Sequence, residues 1–198
     1  MLHHAIGYIT RSLNGYLKGV LDLSEDVAVM SGLVGPDGYV LAQIHDKLAV
    51  SLVNIEKEPI PATFTRHSSK ETGITGIGFP PLHLNAYVLI SAYYPGSNYS
   101  EALKFISYAA LFFQGKPIFT HENAPGLNGD IEKIVMDVEN LNLRDLSRLW
   151  CAVSGRYHPS ILYKMRMITI DSKGITKRVA GTAGVDSSAG FLGREGRW

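Results

Sequence analysis

Seven histidines, a single cysteine and scattered carboxylates are the residues of this sequence best suited to catalysis or metal binding, so their spacing matters first. His3 and His4 adjoin near the N-terminus, while His45, His67, His83, His121 and His158 are dispersed. A helical metal site needs two imidazoles on one face, as in HExxH, and a thiolate site needs pairs such as CxxC. Neither spacing occurs. His45-Asp46 and His121-Glu122 are neighbours only in sequence, and each histidine reads as a surface or hydrogen-bonded structural residue. Ser154 lies in Ala152-Val153-Ser154-Gly155, which lacks the leading glycine of a GxSxG elbow and falls at a helix end. Cys151, beside Trp150, reads as an inert thiol buried on the apolar face of that helix. The glycine-rich stretch 73–78 has no Gly-Lys-Ser/Thr and no helical pattern after it, so neither a phosphate loop nor a dinucleotide fingerprint is present. Asp137 and Glu139 share one face of a strand whose other face is apolar, which reads as a solvated or inter-subunit face. These residues give no grounds for a catalytic centre, a metal or a cofactor.

Bulk properties exclude further classes. Nineteen Lys and Arg against eighteen Asp and Glu leave a formal charge of +1, so no strong field draws the chain to nucleic acid or an anionic membrane. The lone cysteine cannot form an internal disulfide, in keeping with a chain folded in a reducing cytoplasm. The segment Met1-Leu2-His3-His4 lacks the basic and apolar regions of a secretory signal, and no apolar run approaches the ~20 residues of a membrane-spanning helix. A length of 198 residues, 45% hydrophobic and 19% charged, suits one folded domain with a short appendage.

The elements that would carry any site follow from periodicity. Ile6, Ile9, Leu13, Leu17 and Val20 recur at helical spacing, with Arg11, Ser12, Asn14 and Lys18 assigned to other faces. A short strand is expected over 27–33, followed by a turn at Gly35-Pro36-Asp37-Gly38. The segment 47–57 is apolar on both faces, Leu48, Val50 and Leu52 on one and Ala49, Val53 and Ile55 on the other, as a central strand requires. Residues 59–81 read as a long exposed loop or flap. In 82–94, Leu84, Ala86, Val88, Ile90 and Ala92 alternate with Asn85, Tyr87, Leu89 and Ser91, which predicts a second long strand. A helix begins at Asn98, with Glu101 at the capping-box position, and stops at Gly115 and Pro117. A strand over 131–141, a helix opened by Asn142 and Asp145, and a strand over 161–171 complete the pattern. The segment 181–196, rich in Gly, Ala and Ser, reads as an extended arm. The order predicts an α+β (or α/β) domain over 1–172, a mixed and mainly antiparallel sheet with helices packed on one face, and a C-terminal arm over 173–198 that is flexible or ordered on assembly.

Several segments, taken in order, resemble one protein family. They are residues 47–57 (KLAVSLVNIEK), 84–89 (LNAYVL) with 99–107 (YSEALKFIS), Phe112-Phe113-Gln114, Phe119-Thr120, Asn123-Ala124-Pro125, Ile131-Glu132-Lys133, Leu149-Trp150, and 157–167 (YHPSILYKMRM). The set resembles the cap-protein family of extracellular contractile injection systems, of the antifeeding prophage and Photorhabdus virulence cassette type. The departures are the Pro/Gly insertion at 59–81 and the arm after 172. The resemblance implies a tail-terminator-like fold and a non-enzymatic ring, a homohexamer, that ends the tube and sheath of the particle and stops their growth. It implies as partners other copies of the chain and the sheath and inner-tube proteins, with assembly in the cytoplasm and release in the particle. Arg178, Arg194, Arg197 and Trp198 of the arm are the expected interface residues, since Arg and Trp anchor interfaces well. Two other readings stay open: the terminator of a contractile phage tail or type VI-like apparatus, and an enzyme with an unrecognised site in the 59–81 and 120–130 loops.

Overall fold

The computed structural model describes residues 1–58, 74–77, 83–169 and 177–180, with the backbone course alone at 74–77, 167–169 and 177–180. Among these residues three α-helices, α1 (Leu2–Leu21), α2 (Tyr99–Gly115) and α3 (Leu143–Val153), and a short 3-10 turn at Ala42–Ile44 accompany eight strands. The strands are β1 (Ala28–Met30), β2 (Lys47–Lys57), β3 (Ile74–Ile77), β4 (His83–Tyr93), β5 (Ile118–Thr120), β6 (Ile131–Val138), β7 (Ser160–Thr169) and β8 (Lys177–Ala180). Six of them form one sheet in the order β1-β2-β4-β7-β6-β5; β3 and β8 form a separate antiparallel ribbon. Within the large sheet only β1 and β2 run parallel. The mixed, mainly antiparallel sheet predicted from the strand patterns is therefore the one observed.

The alternation in β4 explains why the sheet carries two cores. Ala86, Val88, Ile90 and Ala92 point to the face covered by α1 and α2, whereas Leu89 and Tyr87 point to the opposite face. On the first face Ile6, Ile9, Leu13 and Leu17 of α1 meet Phe105, Ala109 and Phe113 of α2 over the sheet. Each such Leu or Ile, removed fully from water, contributes about 1.5–3 kcal/mol, which binds the two long helices to the sheet. The second face is covered by the 31–46 segment and by α3, whose Trp150 sits with Leu33, Ile44, Ala49, Leu89 and Leu162. The helices thus lie mainly on one face, and the short α3 partly covers the other.

Several local expectations meet different outcomes. Asn142 caps α3, its Oδ1 accepting from the Asp145 N–H at 3.0 Å and its Nδ2 donating to Asp145 Oδ2 at 2.7 Å. Asn98 does not cap α2 with its side chain; its backbone (φ −89°, ψ 24°) has already turned, and Glu101 pairs with Lys104 at 3.3 Å instead. The turn before it uses Gly96 at φ +75°, a conformation glycine adopts without strain. Val20 is half exposed near the end of α1, while the neighbouring Leu21 still packs against the core. A bulge in β2 between Leu52 and Asn54 reverses its alternation, so Leu52 and Ile55 stand on one face, opposite Val88 and Ala86. There they lie 42% and 43% exposed.

Two asparagines hold the ends of the large sheet. Asn14, assigned to a face of α1 other than its apolar one, is buried and bonds to β1: its Oδ1 accepts from the N–H groups of Val27 (3.0 Å) and Ala28 (2.7 Å), and its Nδ2 donates to the Ala28 carbonyl (2.8 Å). Asn123, just beyond β5, accepts from the Thr120 N–H at 3.0 Å and donates from Nδ2 to the Ile118 carbonyl at 3.0 Å.

Candidate functional site

Among the described residues the candidate groups of the sequence form no metal-binding cluster. His45 and His158 flank Tyr93 edge-to-face, with ring centroids 4.9 and 5.1 Å apart, and His158 also meets Trp150 at 5.4 Å. These imidazoles are spaced by aromatic rings, as core-edge packing requires, and do not converge on a point. Burial, and then the nearby Arg156 charge, holds the His158 pKa below its ordinary value. Among the described residues no group of three or more His, Cys, Asp or Glu side chains could hold a metal ion. His67 lies outside the described residues.

The remaining candidates have structural occupations. Ser154 closes α3 and donates from Oγ to the Arg156 carbonyl at 2.9 Å. Cys151 is exposed, which corrects the expectation of a buried thiol: Trp150 takes the sheet-facing position of α3, and the next residue turns about 100° away from it. Asp137 pairs across the ladder with Arg166, and both groups are nearly half exposed. The glycine-rich segment contributes β3, whose backbone pairs with β8. Burial pushes the Tyr163 hydroxyl up to about 12, so it remains protonated.

Among the described residues a shallow concavity lies on the second face. Val53 and Asn54 of β2, Tyr87 of β4, Leu149 of α3 and Leu162 of β7 line a groove of about 200 Å³. Three carboxylates, Glu56, Glu139 and Asp145, rim it. Tyr87 donates from Oη to Glu56 Oε2 at 3.1 Å, and burial together with the Glu56 and Glu139 charges raises its pKa. Lys164 lies 5.9 Å from the centre of the Tyr87 ring. The groove is smaller than the ~300–1,000 Å³ common for small-molecule sites. Its outer wall is β2 beyond Val50, where the pairing with β1 ends. That stretch of β2 has a partner strand on one side only among the described residues.

The described residues thus present an apolar groove beside a partly open strand, with exposed Leu52 and Ile55 on the opposite face. Of the four expected interface residues, Arg178 stands in β8 with its backbone opposite Gly76 of β3. Arg194, Arg197 and Trp198 lie outside the described residues. Sequence reasoning missed Asn14 and Asn123. Asn14 stands directly after Leu13 on α1, but helical spacing does not show the strand it bonds to; Asn123 was marked only as part of the Asn123-Ala124-Pro125 resemblance, with no structural role attached.

The chain belongs to the Pvc16 N-terminal domain family, whose model matches residues 7–180. No curated protein matches it. Among solved structures it is similar to the PVC sheath/tube terminator in the extended state of an extracellular contractile injection system, determined by cryo-EM. That likeness has a TM-score of 0.57 at 13% identity, over 100% of this chain and 65% of the other. The tube terminating cap of the anti-feeding prophage gives a TM-score of 0.48 at 14% identity, over 93% of this chain and 60% of the other. The chain therefore spans less than two thirds of either solved chain.

Proposed function

We propose that this chain is the terminator, or cap, of an extracellular contractile injection system, and that it ends the tube and sheath by fit alone. The observation that carries this reading is the family match over residues 7–180, joined to a terminator-like fold over the whole chain. In this reading copies of the chain meet head to tail and close as a ring, a homohexamer, whose one face matches the tip of the growing filament. Sheath and inner-tube proteins of the same particle are its other partners, assembly takes place in the cytoplasm, and the finished particle carries the ring outside the cell. The half-open β2, with Leu52 and Ile55 on one face and the groove on the other, suits an extended segment of a sheath subunit. Arg178, Arg194, Arg197 and Trp198 anchor the arm to neighbouring subunits. Electron microscopy of particles from a strain lacking the protein tests the role: tubes and sheaths of scattered length are expected, and sealed particles of uniform length refute it. Deleting residues 181–198, which leaves β8 in place, tests the arm separately; normal capping by the shortened chain removes the arm from the reading.

A further inference from the structure

We propose that Asn14 and Asn123 are edge locks, two carboxamides that each occupy outward hydrogen-bonding groups of a terminal strand, those of Ala28 in β1 and of Ile118 and Thr120 in β5, and so hinder the addition of a further strand at both ends of the sheet. In an antiparallel pair, alternate residues turn their N–H and C=O groups toward the partner and away from it. The Met136 N–H donates to the Pro117 carbonyl at 2.8 Å, so Pro117 and Phe119 face β6 while Ile118 and Thr120 face outward. Asn123 fills the outward carbonyl of Ile118 and the outward N–H of Thr120, and the backbone N–H groups of Asn123 and Ala124 take the Thr120 carbonyl, so three of the four outward groups of these two residues are occupied.

At the opposite edge the same logic holds for a parallel pair. The Leu48 N–H donates to the Val27 carbonyl and the Ser31 N–H to the Val50 carbonyl, which turns Ala28 outward. Asn14 bonds both the N–H and the C=O of Ala28, as a neighbouring strand residue would. One lock comes from a helix laid over the edge, the other from a turn folded back on it. Each therefore has a local structural use, but both reach the same result on strands that share no sequence and lie at opposite ends of the sheet. An unprotected edge is a template for strand addition, and proteins block such edges when addition would be harmful. A protein that ends a polymer is such a case, since an open edge on the ring would accept another subunit. With both locks in place, β2 beyond Val50 is the longest stretch of the large sheet that has a partner strand on one side only among the described residues, so addition is directed there.

This inference rests on the terminator reading for its purpose and on the hydrogen bonds alone for its chemistry. The full chain with Asn123→Ala, compared with the unsubstituted chain and with Asn123→Asp, is the test. Sedimentation velocity over a range of concentrations reads assembly, and hydrogen exchange over 118–120 reads the edge. For Asn123→Ala, exchange at Thr120 is expected to rise about tenfold, the loss of one protecting hydrogen bond. Species at least twice the mass of the unsubstituted assembly are expected to grow with concentration. Asn123→Asp keeps an acceptor for Thr120 and places a charge on the edge, and the unsubstituted mass is expected. Faster exchange without larger species overturns the proposal, as does equal association of both variants or unchanged exchange at Thr120. A failure of the unsubstituted chain to cap tubes would instead refute the terminator role and leave the locks standing.

Discussion

Replacing Asn14 with alanine removes one carboxamide and strands three main-chain groups at once. Ala28 is 4% exposed, so its N–H and C=O cannot recover water when Asn14 is gone. Each buried group left unpaired costs roughly 1–3 kcal/mol. Val27 is half-buried, and its N–H can be rehydrated at little cost. Alanine is the better helix former by roughly 0.6 kcal/mol, which offsets part of the loss. The net expectation is a destabilisation of about 2–5 kcal/mol, a large share of the roughly 5–15 kcal/mol that holds a domain of this kind together. Urea unfolding followed by circular dichroism reads it as a lower midpoint with an unchanged slope. Arg11→Ala, on the exposed side of the same helix, is the control and should stay within about 0.5 kcal/mol of the unsubstituted chain. An Asn14→Ala loss below about 0.5 kcal/mol would refute the reasoning, because the Ala28 groups would then have other partners.

Phe119→Ala should cost about 3–5 kcal/mol in the same assay, since Phe119 is fully buried among the rings of Tyr8, Phe112 and Phe113. Arg166→Gln should change stability by less than about 1 kcal/mol, because the ion pair with Asp137 is 43% and 47% exposed and solvent screens it. His158 has a folded pKa below its unfolded value of 6.5, so the unfolded chain takes up the proton first as pH falls. The stability that His158 lends is therefore complete above pH 6.5 and declines as pH drops toward the folded pKa. His158→Gln should flatten the stability profile below pH 6.5, and an identical profile in the variant would show that the burial of this ring is not linked to protonation.

What was legible in the sequence is what short-range periodicity controls. The alternation of β4 was readable because both its faces are buried, so each apolar residue had to belong to one core or the other. The cap of α3 was readable because Asn142 and Asp145 interact within one turn. The side of α1 that packs on the sheet was readable from Ile6, Ile9, Leu13 and Leu17, but its boundary was not: Asn14 is buried because β1 arrives beside it and offers polar groups, and helical spacing carries no trace of that strand.

The same physics set the other limits. The bulge at Val53 reverses the face on which Ile55 stands, and a bulge is fixed by the partner strand rather than by the residues of the strand that contains it. The pairing of Ile74–Ile77 with Lys177–Ala180 joins segments far apart in the chain, one expected to be a loop and the other part of an arm. Cys151 faces water because Trp150, the larger apolar group, takes the inward position on a short helix that has room for few. The sequence by itself determined the three helices, the long strands, most of their apolar faces and the family resemblance, since these depend on neighbours within a turn or a strand. Only the tertiary structure decided which carboxamides close the two edges of the sheet and where one strand stays open, because a hydrogen-bonding group becomes an edge only when the fold has chosen its neighbours.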